Sequence, residues 1–286
     1  MPNIYRQGVV RSRGGRFLRR MGNILLVVAA ILLPALMVFG PMLAPHDPNY
    51  ADILNRLKPP SMEYPLGTDA LGRCLLSRLL WGARVTMLWS AVIVTGAAVI
   101  GTTIGLYCGY RRGWVDVIAM RFVEGISVLP ALAIAVVISS MLGLGLHALV
   151  ISLTVVHWTG YARLVRNIIV GESGRLYVTA ARAMGVPRRR IFMKHLLPNI
   201  GGPLIVLATY SMSGMMLAFA GLSFLGLGVE PTTPEWGKII ADGRTHMRSV
   251  PRLVMAPGLT IMTVIISLNL IGDALADRWR SGSSRR

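Results

Sequence analysis

Six apolar runs, separated by stretches rich in Arg, Pro and Gly, set the rhythm of this chain: residues 22–43, 87–109, 123–145, 146–163, 200–227 and 253–273. Each is about long enough for a helix to cross a hydrocarbon layer of roughly 30 Å. The first run, GNILLVVAAILLPALMVFGPML, is too long for the apolar part of a secretory signal, and no clean small-x-small cleavage site follows it. It reads as a first transmembrane helix. Gly143 and Gly145 leave only a very short turn between the third and fourth runs, which predicts a helical hairpin. Six spans place both termini on one side of a membrane.

Two interruptions carry patterns of their own. Segment 44–86 is rich in Pro and Gly, which predicts a folded external loop leading into a short amphipathic helix bearing Leu75, Leu76, Leu79 and Leu80. The stretch Gly171–Asn199 is the longest basic interruption and predicts two short helices with a break. In the first, Leu176, Tyr177, Ala180, Ala181 and Met184 fall on one side, while Arg175, Thr179 and Arg182 face away. Gly185 can take the left-handed conformation that ends a helix, and Pro187 can start the next one. A small apolar knob flanked by arginines suits a docking helix; an ordinary amphipathic loop fits the pattern equally well.

Composition agrees with a bilayer as solvent. The chain is 53% hydrophobic and 15% charged, with mean hydropathy +0.59, far too apolar for a soluble domain. Its net charge of +18 does not mark a nucleic-acid binder, because the arginines sit at the ends of apolar runs rather than on a polar domain. Segments 1–21, 110–122, 163–199 and 274–286 hold 21 of the 30 Lys and Arg, and the alternating segments 44–86 and 228–252 hold the other nine. The positive-inside rule therefore predicts cytoplasmic termini and a cytoplasmic Gly171–Asn199 loop. Cys74 and Cys108 are far apart and read as packing residues, with no disulfide or zinc site implied.

Enzymatic signatures do not emerge. No G-x-x-x-x-G-K-[ST] loop, HExxH or paired carboxylate occurs, no Ser/His/Asp set stands out, and the five histidines are scattered. An integral-membrane enzyme is thus the weaker class, and a secondary transporter a remote one. Secondary transporters usually carry intramembrane acids, whereas Glu124 and Asp273 fall near expected cytoplasmic ends.

Four separate motifs carry a family resemblance over nearly the whole of residues 44–280. Thr179-Ala180-Ala181, then Gly185, Leu196 and Leu197-Pro198, resemble the EAA loop of ABC importer permeases. Leu66-Gly67-Thr68-Asp69, Leu71-Gly72-Arg73 and Ser77-Arg78 resemble the LGTDxLGRDxxSR signature of the dipeptide/oligopeptide/nickel branch, with Cys74 in place of the second Asp. SFLGLG at 223–228 followed by PEWG at 234–237, and NLIGD at 269–273, resemble further motifs of that branch.

The resemblance implies an all-α, six-span type I ABC importer permease (MetI-like) fold. It divides the chain into a basic cytoplasmic tail 1–21, a first span 22–43, an external segment 44–86, a five-helix core 87–273 with a coupling loop 171–199, and a cytoplasmic tail 274–286. It also implies a second homologous permease chain, two ABC ATPase subunits that carry ATP and Mg, and an external solute-binding protein at a bacterial inner membrane. This chain itself then binds no cofactor. Thr179, Ala180, Ala181, Arg182, Met184 and Gly185 are the expected ATPase-coupling residues, although Thr179 stands where the motif has Glu. Gly226, Gly228 and Trp236 are expected gate or structural positions, although plain helix packing would account for the glycines as well. Phe219 stands near the position where peptide carriers often have Glu, and His157 with Met212, Met215 and Met216 could line a path for a soft metal. Such residues are more often core filler. Nickel or a metal chelate is accordingly expected slightly ahead of a dipeptide or oligopeptide.

Overall fold

The computed structural model describes residues 30–283 apart from 144 and 231, and leaves out the side chains of Arg182, Arg188, Arg189, Lys194, His195 and residues 280–283. The tail 1–21, the first part of the 22–43 span, residues 284–286 and the Arg182 side chain therefore lie outside the described residues. Among the described residues every regular element is helical, and the one isolated backbone bridge pairs Thr68 with Cys74. Ten helices follow in order: α1 (Ala30–Leu43), α2 (Leu75–Arg111), α3 (Trp114–Val128), α4 (Ala131–Leu142), α5 (Leu146–Ser173), α6 (Leu176–Ala183), α7 (Arg188–Ile191), α8 (Leu197–Phe224), α9 (Trp236–Gly243) and α10 (Arg252–Ser283).

Four of these, α2, α5, α8 and α10, are each long and apolar enough to span a membrane. The expected span 123–145 is instead two helices, α3 and α4, bent by 92°. Pro130 is the cause: it disfavours a helical Leu129, whose backbone is extended at φ −83° and ψ 144°. The expected external amphipathic helix is not a separate element either. It forms the first turns of α2, whose 37 residues would extend roughly 55 Å at 1.5 Å per residue.

Helices α2 and α5 approach closely because α2 carries glycines at i, i+4 spacing on their shared face. A Cβ at Gly101 would lie 2.3 Å from the Trp158 carbonyl oxygen, one at Gly105 2.5 Å from that of Ala162, and one at Gly109 2.8 Å from Ile169 Cβ. Small residues at this spacing let helix backbones meet without a side-chain layer between them. The core then runs along α2 in three clusters. One gathers Leu75, Leu79, Met216 and Trp236 near α9, a middle one gathers Ile93, Leu149, Leu153 and Phe219, and a third holds Val165, Ile169, Leu196 and Ile200. A fourth, small cluster lies within the α6–α7 loop alone. Cys74 and Cys108 are both buried and free.

Candidate functional site

The stretch from Ser173 to Leu197 forms a folded loop at one end of the molecule. Helix α6 ends in a glycine cap: Gly185 sits at φ +76°, and the Val186 amide donates to the Ala181 carbonyl over 3.0 Å. This is the Schellman pattern, in which the residue after the glycine folds back against the last helical turn. Val186 accordingly packs on Val178, Ala181 and Ile191, giving the loop a miniature core of its own. After Pro187 the chain makes one turn of α7, then a π turn over Phe192–Leu196, before α8 begins. Phe192 meets Tyr110 of α2 edge-on at 5.4 Å.

This core reverses one expectation about the knob. Ala181 is 7% exposed, turned inward with Val178, so it cannot form the presented surface. The outward face of α6 consists of Leu176 (88% exposed), Thr179, Ala180 and Met184 (75% exposed), with Tyr177 at its edge. Gly185 has open space around it and acts through its backbone conformation rather than through contact. The Thr179 hydroxyl faces the Arg175 carbonyl at 3.4 Å, so it engages its own helix where a Glu would reach outward.

Glu172, the sole carboxylate between Gly171 and Asn199, belongs to none of the sequence motifs. Its Oε2 accepts from the Tyr177 hydroxyl at 2.7 Å and from Asn199 Nδ2 at 3.2 Å, and its Oε1 pairs with Arg175 at 2.8 Å. Burial, then the hydrogen bond to this carboxylate, pushes the Tyr177 phenol above its ordinary pKa. Being the only acid in a strongly basic stretch was the available signal.

The expected substrate-path residues do not come together on an open surface. Met215, Met216 and Phe219 are almost wholly buried, and Met212 is wedged between the first two core clusters. They fill the interior of this chain, Met216 among residues of α2, α9 and α10 and Met215 with Phe219 among residues of α2, α4 and α5. His157 is half-buried with Nδ1 2.9 Å from the Leu153 carbonyl, one turn back on α5. Among the described residues no group of three or more His, Cys, Asp or Glu could hold a metal ion.

At the opposite end of α2 the LGTD and LGR letters form one buried polar assembly, whereas NLIGD lies apart on α10, where Asp273 accepts from the Tyr210 hydroxyl. Asp69 Oδ2 binds Arg73 Nε at 2.7 Å and Arg78 Nη1 at 2.5 Å, and its Oδ1 accepts the amides of Leu71 and Arg73. Asp242 of α9 reaches both arginines at 3.4 Å and Lys238 at 2.8 Å. Burial alone would raise the Asp69 pKa; the guanidinium groups of Arg78 and Arg73 outweigh it and hold the carboxyl below its usual value. Gly67 and Gly72 both have positive φ, and a Cβ at Gly72 would come within 1.7 Å of the Asp52 carbonyl oxygen. The LGTD and LGR letters thus describe a backbone knot.

The SFLGLG and PEWG letters close over that knot. Gly226 ends α8 at φ +82°, with the Leu227 amide on the Leu222 carbonyl at 3.1 Å and the Gly226 amide on that of Ser223 at 3.0 Å. This is the same Schellman cap. A Cβ at Gly228 would lie 2.5 Å from Ser223 Cα, and one at Gly237 2.0 Å from the Ala220 carbonyl oxygen. Trp236 is fully buried and donates from Nε1 to the Leu79 carbonyl at 3.0 Å. Glu235, also fully buried, caps α9 by accepting from the Lys238 amide at 2.9 Å and from the Thr86 hydroxyl at 3.0 Å. Desolvation raises its pKa, against the pull of those hydrogen bonds.

Residues 101–281 match the family of binding-protein-dependent transport system inner membrane components. The chain is 36% identical to a dipeptide transport system permease protein of Alkalihalophilus pseudofirmus, covering 88% of this chain and 83% of the relative. It is 41% identical to a di/tripeptide transport system permease protein of Pseudomonas aeruginosa, covering 84% and 81%. A glutathione transport system permease protein of Pectobacterium atrosepticum is 33% identical, covering 92% and 87%.

Proposed function

Because the chain belongs to the family of binding-protein-dependent transport inner membrane components, we propose that it forms half of the path of an ATP-driven importer of short peptides. The single observation that carries the mechanism is the outward face of α6. Two large apolar side chains, Leu176 and Met184, project with Ala180 between them from a short helix on the arginine-rich side of the chain. Exposed apolar residues on an otherwise charged surface favour a protein partner. In this reading α6 seats in an ATPase subunit, one of a pair that carries ATP and Mg. A second permease chain completes the path, and an external binding protein delivers solute. The two nucleotide states of the ATPase bias the path only by the difference in their affinity for α6.

Short peptides, rather than nickel or a metal chelate, are the proposed solutes. The relatives are named for dipeptide, di/tripeptide and glutathione transport. On this chain His157 is turned back on its own helix, and the Met cluster is core. The 21-to-9 split of basic residues supports cytoplasmic termini, with α6 inside and α9 outside.

Reconstitution tests the reading. Vesicles holding this chain, its partner permease and both ATPases should take up a labelled dipeptide only with ATP and the external binding protein. An assembled complex that moves no di- or tripeptide would overturn the solute class. Leu176→Asp with Met184→Asp should strip the ATPases during purification; full retention would overturn the docking role. A cysteine at Thr232 should react with an impermeant reagent from outside and one at Ala180 should not, and the opposite pattern would invert the topology.

A further inference from the structure

We infer that Glu172 is the positioning residue through which α6 moves α5 and α8 together. The inference rests on the docking role proposed for α6 and concerns what lies behind the docking face.

The loop is attached to the spans less firmly than its own order suggests. Its miniature core of Val178, Ala181, Val186 and Ile191 is a cluster separate from the core of Val165, Ile169, Leu196 and Ile200 beneath it. A cavity of about 240 Å³ opens between Ile191 and Leu196 on one side and Gly109, Arg112 and Ser173 on the other. Its backbone junctions are Gly174 before α6 and the π turn over Phe192–Leu196 after α7. A rigid body held by such junctions can rotate on them without moving what they join.

Glu172 ties the loop to the spans with directional bonds. It stands in the last turn of α5, with its side chain only 12% exposed. One oxygen meets Arg175 at the entrance to α6; the other holds Tyr177 within α6 and Asn199 in the first turn of α8. Three elements therefore converge on one carboxylate. Charged acceptors make stronger hydrogen bonds than neutral ones, and convergence on one group fixes angles that apolar contact leaves free. A displacement of α6 is then carried to both helices at once, which would make the loop a lever.

The test uses the complete importer in vesicles and measures peptide uptake per ATP hydrolysed, with ATPase retention on purification as the control. Glu172→Ala should retain the ATPases, because the docking face is untouched, yet lower uptake per ATP by about tenfold, within the usual 5- to 150-fold range of site-to-site coupling. Glu172→Gln keeps an acceptor for Tyr177 and Asn199 and should restore most of the ratio. Where Glu172→Ala fails to accumulate, Tyr177→Phe combined with Asn199→Ala removes the same bridge from its other ends and should give the same loss. An unchanged ratio in these variants would overturn the inference while leaving docking intact. Loss of ATPase retention in Glu172→Ala and Glu172→Gln alike would overturn it too, by making Glu172 part of the docking surface. Failure of the docking reading itself would show separately, as full ATPase retention in the Leu176→Asp, Met184→Asp variant.

Discussion

The two ends of α2 end a neighbouring helix in the same way and are held in opposite ways. Gly226 and Gly185 both cap a helix from the left-handed region with a Schellman hydrogen bond. Around Gly226 the α9 end is over-determined. Asp69 and Asp242 bind Arg73, Arg78 and Lys238, Trp236 is buried against Gly82, and Gly237 touches the Ala220 backbone. Around Gly185 the α6 loop itself has a cluster of four apolar residues, a cavity beside it, the Phe192–Tyr110 contact and a single carboxylate of its own stretch, Glu172. On the docking role proposed for α6, few directional attachments let the loop move as a unit, whereas many bonds hold the α9 end in place. The same cap serves both because it fixes only the local chain path.

The largest effect should come from breaking the α9 end. Arg78 has no solvent exposure, so Asp69→Ala leaves its guanidinium buried with only the longer contact to Asp242. Removing one partner of a buried pair costs roughly 3–5 kcal/mol. Yield from membranes and the denaturation midpoint of the purified chain should both fall. Adding Arg78→Leu to Asp69→Ala should recover part of the loss, since the uncompensated charge is then gone. A single variant near the unmodified midpoint would mean that the network is not what holds this end.

A pair of glycine substitutions sharpens the contrast directly. Gly185 and Gly226 both lie at positive φ with open space around them, so valine meets backbone strain but no clash. Holding a side chain in that region costs about 1–3 kcal/mol. Gly226→Val should therefore lower the denaturation midpoint while leaving uptake per ATP unchanged among molecules that fold. Gly185→Val should do the reverse, misdirecting α6 with little change in midpoint. Equal loss of both quantities in both variants would erase the distinction between the two ends.

How much of this was legible in the sequence follows from the range of the interactions involved. The glycine caps could be read because a cap is local: a Gly after an apolar turn, with an apolar residue behind it, states its own geometry. The bend at Pro130 is equally local, but the hydropathy of residues 123–145 runs on across it and does not show it. Which alanine of the Ala180-Ala181 pair faces inward could not be read. It depends on Ile191, ten residues on, folding back across Pro187 to fill the loop. The second carboxylate on Arg73 and Arg78 had the same difficulty, since Asp242 is brought to them only by α9 closing over α2. The methionine stripe misled in the usual way, because periodicity identifies a helix face without saying what covers it.

Within the α9 end, two carboxyl groups should respond to pH with opposite sign. The Asp69 pKa is lowered in the folded chain, so the unfolded chain binds more protons as acid is added. Its contribution is complete above the usual carboxylate range and is lost as pH falls through the lowered value. Glu235 is raised by burial, so its folded form holds a proton that the unfolded chain has released. Its contribution is complete below the usual range and is lost as pH rises through the raised value. The denaturation midpoint should therefore decline on both sides, and Glu235→Gln, which stays neutral and can still accept, should flatten the alkaline side alone. An unchanged alkaline limb would show that Glu235 keeps an ordinary carboxyl pKa.

The smallest expected change is a gain. Cys74 is the N-cap residue of α2, extended at φ −63° and ψ 115°, and its side chain makes no capping hydrogen bond. A thiol is a weak acceptor, so the first amides of a 37-residue helix are served less well than an oxygen would serve them. Cys74→Ser places a hydroxyl there at nearly the same volume, which matters because the site is almost fully buried. Serine at an N-cap is typically worth about 0.5–2 kcal/mol over a residue that cannot cap, and the lower part of that range suits a site already fixed by the Leu75 amide on the Gly67 carbonyl. The denaturation midpoint should rise slightly, while uptake per ATP and ATPase retention stay as they were. A rise in uptake per ATP would break the comparison, because it would mean that order added at the α9 end reaches the loop at the other end of α2.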